Sequence, residues 1–184
     1  GDGQSEAERL MGYLAWGEAY ARIHGGHQYG WMSDLIPQET IKTEFRRLAA
    51  KYDVASVCVR PADVKRAKAI LDGTDVKVGT TIGFPHGNHA TEIKVAEAER
   101  ALADGATELD MVIQIGALKS GRDADVEADI RAIVEVAHAS GAIVKVIFEN
   151  AYLTDNEKVR ACRLTEAAGG DFVKTSTGFA PSGA

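Results

Sequence analysis

Hydrophobic and polar positions along this chain fall into two alternating periods. Short, nearly continuous apolar runs recur at residues 54–59, 76–82, 108–113, 143–149 and 171–175. Between them, apolar residues return every three or four positions, as at Val64, Ala67 and Ile70, and over residues 89–103 and 124–139. Another such stretch opens on Thr154-x-x-Glu157, a capping-box signature, and runs to Gly169-Gly170. Runs of the first kind predict strands and stretches of the second predict helices. Their alternation in units of about 30 residues predicts a parallel sheet with crossover helices. The apolar continuity of the strands fits a sheet covered on both faces. A doubly wound sheet and a (β/α)8 barrel share this local pattern, and periodicity does not separate them.

The repeats begin after Pro37, with a helix carrying Ile41, Phe45 and Leu48. Before them, residues 5–23 read as a helix through Leu10, Leu14 and Ala21, interrupted by Gly12 and Gly17. A loop follows at residues 24–30. We therefore read 1–184 as a single domain, with 1–30 a helix and loop ahead of the repeats. His24 and His27 lack a Cys or carboxylate at supporting spacing, so they read as a structural or solvated pair rather than a metal site.

Composition narrows the function classes. With 45% apolar residues the chain can bury a full core. Its 21 basic and 27 acidic residues give a net charge of −6, which carries no nucleic-acid footprint and favours a small ligand or protein partner. The two cysteines, Cys58 and Cys162, do not form a secreted disulfide framework. No run has the length of a membrane span and no signal-peptide pattern opens the chain, so a cytoplasmic protein is expected. No G-x-G-x-x-G follows the first clear strand and no G-K-[ST] occurs, which sets dinucleotide and P-loop chemistry aside.

Polar residues interrupt the strands mainly towards their C-terminal ends: Cys58, Thr80, Thr81, Asp110, Lys145, Glu149 and Lys174. In a barrel that end is the mouth, where side chains from several strands meet. By parity Lys145, Ile147 and Glu149 share one face, and Lys174 lies with Phe172. A buried ammonium or carboxylate is costly unless paired, so two lysines converging on Asp110 would account for all three. Such a cluster permits Schiff-base chemistry. An amine attacks a carbonyl only when neutral, and burial beside a second ammonium depresses its pKa from about 10.4. A nearby aspartate then moves protons, and neither metal nor cofactor is called for. On these residues alone a Schiff-base lyase, another barrel enzyme and a non-catalytic structural domain all stay open.

Longer motifs carry a resemblance. ASVCVRP (55–61), GTTIGFPHGNHATEIKVAEAE (79–99), ELDMVIQIGALKSG (108–121), VKVIFENAYLTDNEKV (144–159) and AGGDFVKTSTGF (168–179) resemble the deoxyribose-phosphate aldolase family of class I aldolases. The resemblance implies a TIM (β/α)8 barrel without cofactor or metal. It implies reversible cleavage of 2-deoxy-D-ribose 5-phosphate to acetaldehyde and D-glyceraldehyde 3-phosphate. It places the Schiff-base lysine on Lys174, the proton-relaying aspartate on Asp110 and the relay's strand lysine on Lys145. Cys58 falls near the substrate, and Thr177 and Gly178 on a loop holding the sugar and its phosphate. Implied partners are small phosphorylated sugars and aldehydes, with no nucleic acid or membrane, and a homodimer is one compatible assembly. A Schiff-base aldolase of another sugar phosphate and a non-catalytic barrel scaffold are the alternative readings.

Other family-like residues receive plainer readings. Glu92, Lys94 and Glu97 are expected to form a solvated helix face. His86 is expected in a loop-supporting or exposed position, and Glu149 is expected to orient the lysines. The family's first strand, of the form DHTLLKP, has no clean counterpart here; Asp34 is the nearest candidate. The family also continues past STGF with two more β/α units. We therefore expect the complete molecule to contain them, and to contain residues near Asp34, that the 184 residues do not.

Overall fold

A computed structural model describes residues 54–183. The expected helix at 5–23, the loop at 24–30, Asp34 and the helix carrying Ile41, Phe45 and Leu48 lie outside them. The described residues alternate strand and helix: β1 (Ser56–Val59), α1 (Val64–Ile70), β2 (Lys77–Ile82), α2 (Thr91–Ala103) and β3 (Glu108–Val112). There follow α3 (Ile115–Lys119), α4 (Asp123–Ala139), β4 (Ile143–Ile147), α5 (Asp155–Ala168) and β5 (Phe172–Lys174).

The strands form one parallel sheet in the order β1-β2-β3-β4-β5. A doubly wound sheet reverses its strand order at a switch point, whereas barrel strands follow the chain. The architecture is thus a partial (β/α)8 barrel, five strands with their flanking helices.

Strand alternation divides the side chains between two environments. One row carries Val59, Val78, Ile82, Leu109, Met111, Val144 and Val146, which join Ala98, Ala101, Ile130, Ile133 and Ala137 of α2 and α4 in one apolar core. Burying each large aliphatic there contributes about 1.5–3 kcal/mol, and that packing fixes which way every strand faces. The other row is forced to the opposite face. It carries Cys58, Thr81, Asp110, Lys145 and Lys174, five of the polar residues that interrupted the apolar runs, together with Glu108. Thr80 lies on the core row, where its hydroxyl donates to the Val59 carbonyl at 2.8 Å.

Local signals set the element ends. The α5 capping box is complete: the Thr154 hydroxyl accepts from the Glu157 N–H, and the Glu157 carboxylate accepts from the Thr154 N–H at 2.7 Å. Gly169 closes the helix at φ 85°, a left-handed position that glycine adopts without steric cost. β4 stops at Ile147, two residues short of the apolar run, because Glu149 turns to φ 57° and ψ 68°. The short α3 was not expected. Gly116 and Ser120-Gly121 gave that stretch a loop's composition, yet Ala117 and Leu118 anchor it in the core.

Candidate active site

Register places the inward polar residues on levels. Thr81, Asp110, Lys145 and Phe172 stand side by side across β2 to β5, and Lys174 stands level with Ile147, two residues nearer the mouth. At about 3.3 Å per residue, Lys145 lies some 6.6 Å deeper than Lys174 along the strands. Lys174 reaches back down, and its ammonium donates to Asp110 Oδ2 at 2.6 Å. Asp110 is 2% exposed. Its Oδ1 accepts no hydrogen bond and lies 3.4 Å from Lys145 Nζ. One buried carboxylate thus stands between two amines, and only the upper amine bonds it closely.

Lys145 is held mainly by Glu108, which closes on its ammonium in a short charge-assisted hydrogen bond. Burial works to lower the Lys145 pKa, but the Glu108 hydrogen bond and the charges of Asp110 and Glu108 outweigh it and hold the amine above its usual value. This corrects the expectation of a depressed pKa as far as Lys145 is concerned, because its ammonium has two acidic neighbours, Glu108 and Asp110. Lys145 is a fixed cation two register positions below Lys174. Glu108 escaped the sequence reading although it shares Asp110's parity on β3, because it is the strand's first residue and the reading looked to the C-terminal ends.

Cys58 stands on β1 level with Gly79 and Glu108. Burial, reinforced by the negative charge of Asp110, pushes its thiol up to about 12, while Lys174 and Lys145 pull the other way. The thiol therefore lies within the field of the same four charged groups.

The loop after β5 is organised by a residue that was expected elsewhere. Glu149, 2% exposed, makes no hydrogen bond or ion pair with either lysine among the described residues, so its expected role in orienting them is corrected. Its left-handed backbone, which costs a non-glycine residue about 1–2 kcal/mol, carries the carboxylate off the strand's inward row. Both oxygens accept the Thr177 N–H at 3.3 Å, and the Thr177 hydroxyl donates to Oε2 in a short bond. The same hydroxyl accepts the Phe179 N–H at 3.1 Å, and the Gly178 N–H donates to the Ser176 hydroxyl at 2.9 Å. The Thr177 and Gly178 donors expected to face a sugar phosphate are thus engaged within the protein. Across the mouth, Phe179 meets Phe84 edge to face, with ring centroids 5.3 Å apart. Phe84 precedes the cis proline of the β2 loop, where His86 is exposed as expected.

A second buried network corrects the reading of Lys94 and Glu97 as a solvated face; Glu92 is exposed as expected. Lys94 and Asp129 have no exposed side-chain surface and pair at 2.6 Å. The Lys94 ammonium also donates to the Val112 carbonyl at 2.9 Å, at the end of β3. Asp129 Oδ1 accepts from Thr91 at 2.8 Å and Gln114 at 3.2 Å. Glu97, partly buried, accepts the Gly83 N–H at 2.7 Å. The α2–α4 seam, invisible to a helix read alone, turns this face inward. Gly87 completes the junction, for a Cβ there would come 1.8 Å from the Ile113 carbonyl oxygen.

Residues 25–183 match the model of the DeoC/LacD family aldolases. The chain belongs to that family. It is 57% identical over 152 residues to deoxyribose-phosphate aldolase 2 of Bacillus licheniformis, covering 81% of this chain and 68% of the relative. To the deoxyribose-phosphate aldolase of Thermococcus gammatolerans it is 56% identical over 138 residues, 74% of this chain and 61% of that one. The tetrameric deoxyribose phosphate aldolase of Aeropyrum pernix superposes with a TM-score of 0.69 at 32% identity, over 78% of this chain and 59% of that structure. The chain thus spans about 59–68% of these relatives' lengths. Among the described residues of this DeoC/LacD member, no three His, Cys, Asp or Glu side chains gather as a metal site. None of their helices is long and apolar enough to cross a membrane.

Proposed function

We propose that the complete protein is a class I aldolase that reversibly cleaves 2-deoxy-D-ribose 5-phosphate to acetaldehyde and D-glyceraldehyde 3-phosphate. The observation that carries this reading is the Lys174–Asp110 hydrogen bond of 2.6 Å, made by an amine at a strand mouth to a buried carboxylate. The names of the relatives support the substrate, and the family supports the aldolase class.

Proton transfer along that bond leaves Lys174 neutral and Asp110 protonated. The amine then attacks C1 of the open-chain sugar, and the carbinolamine oxygen takes a proton and leaves as water. The resulting iminium draws the electrons of the C2–C3 bond. As the C3 hydroxyl loses its proton to Asp110, directly or through water, C3 departs as the aldehyde of glyceraldehyde 3-phosphate. The enamine left on Lys174 gains a proton at C2, and water hydrolyses the iminium to acetaldehyde and free amine. Lys145, kept cationic by Glu108 and Asp110, stands as a fixed positive charge beside the carboxylate that relays the protons, two register positions below Lys174. Cys58 borders the substrate without taking part in the chemistry, and the loop with Thr177 and Gly178 frames the sugar phosphate.

A substrate panel tests the reading. The full-length protein should release acetaldehyde from 2-deoxy-D-ribose 5-phosphate faster than from other small sugar phosphates. Preference for another sugar phosphate would reassign the substrate, and no cleavage of any member would leave the barrel as a scaffold.

A further inference from the structure

Glu149 is a buried carboxylate that the cleavage mechanism does not use. It has no cationic partner among the described residues and sits in a strained backbone conformation. Such a group is costly to keep, and its acceptor capacity goes to a single residue. Thr177 gives it both the backbone N–H and the hydroxyl. Backbone bonds run on either side of that contact: Phe148 N–H to the Lys174 carbonyl at 2.9 Å, and Asn150 N–H to the Thr175 carbonyl at 2.8 Å. The carboxylate thereby extends the β4–β5 ladder by a side-chain rung where β4 has already turned away. Through the Thr177 hydroxyl the rung continues to the Phe179 N–H, and the Phe179 ring meets Phe84 on the opposite side of the mouth.

We propose that Glu149 is a positioning residue for substrate recognition: it fixes the Thr175–Phe179 segment against Lys174 and so sets the frame that grips the sugar phosphate. This rests on the aldolase reading above. It separates two things that a shared strand end would otherwise mix. The amine and its proton acceptor belong to β5 and β3, whereas the grip on the sugar depends on a loop held from β4.

The test uses the full-length protein with Glu149→Gln, which keeps the volume and one acceptor oxygen, Glu149→Ala, Thr177→Val and the Glu149→Gln/Thr177→Val pair. Glu149→Gln should raise KM for 2-deoxyribose 5-phosphate about tenfold, the scale of one lost charge-assisted hydrogen bond, with kcat changed by less than about threefold. Borohydride trapping of acetaldehyde on Lys174 needs only the amine and Asp110, so its rate should stay within about threefold of the parent. Thr177→Val should act in the same direction, and the double variant should be no worse than the weaker single one, because both remove one rung. Glu149→Ala should exceed Glu149→Gln. If it does not fold, the other three variants still decide. A Glu149→Gln protein with unchanged KM, additive effects in the pair, or trapping that slows in step with KM would each overturn the proposal. Absence of a Lys174 adduct in the unsubstituted protein would instead overturn the aldolase reading on which it rests.

Discussion

Replacing Lys94 by Met removes a cation from a site with no exposed surface, and the structure says what remains. Asp129 Oδ2 loses its partner at 2.6 Å and the Val112 carbonyl loses its donor at 2.9 Å, while Thr91 and Gln114 still bond Oδ1. Breaking one half of a buried pair typically costs about 3–5 kcal/mol, because the other charge stays buried and uncompensated. For a domain of this size that lowers the midpoint of thermal unfolding by roughly 6–20 °C. Burial lowers the Lys94 pKa by more than Asp129 restores, so the pair is expensive as well as satisfied. Lys94→Met with Asp129→Asn should therefore recover at least about half of the loss, since an asparagine oxygen still receives Thr91 and Gln114. Thermal and urea unfolding, followed by circular dichroism, measure all three proteins. A Lys94→Met midpoint within about 2 °C of the parent is the behaviour of a surface lysine and would refute the buried-network argument.

Two further outcomes follow from the inner face. Asp110→Asn keeps the shape of the site but removes its proton acceptor, so kcat should fall by about 10²- to 10⁴-fold with the melting temperature little changed; activity within about threefold would leave Asp110 a satisfied core carboxylate. With its thiol pushed from 9.0 to about 12, Cys58 should react with iodoacetamide at pH 8 about 1000-fold more slowly in the native protein than in urea. Its native rate should rise with pH towards 12 rather than level off near 9; a plateau near 9 would show that neither burial nor Asp110 holds the proton.

The repeat, its parallel sense and the inward polar row were legible because each depends on local period and parity alone. Strand order was not legible from period alone, which left the barrel and the doubly wound sheet level. The family resemblance of the longer motifs implied the barrel, and pairing in chain order across five strands bears it out. Lys174, Asp110 and Lys145 could be expected together because a charge inside an apolar strand requires a partner. Which partner it takes depends on register, and so Glu108 was missed. Parity also misled at Glu149, where one left-handed residue ends the strand's alternation and sends the carboxylate to Thr177. Lys94 failed for a different reason: whether a helical charge meets water or another helix is decided by packing from residue 129, which no local window contains.

The proposed Schiff base would form on one of two lysines that stand two register positions apart. Treating the full-length protein with acetaldehyde and borohydride, then mapping peptides by mass, decides between them. A reduced two-carbon adduct should appear on Lys174, vanish in Lys174→Ala, and form more slowly but at the same residue in Lys145→Ala. An adduct on Lys145 in the unsubstituted protein would reverse the assignment, and a folded full-length protein that traps nothing would contradict Schiff-base catalysis itself.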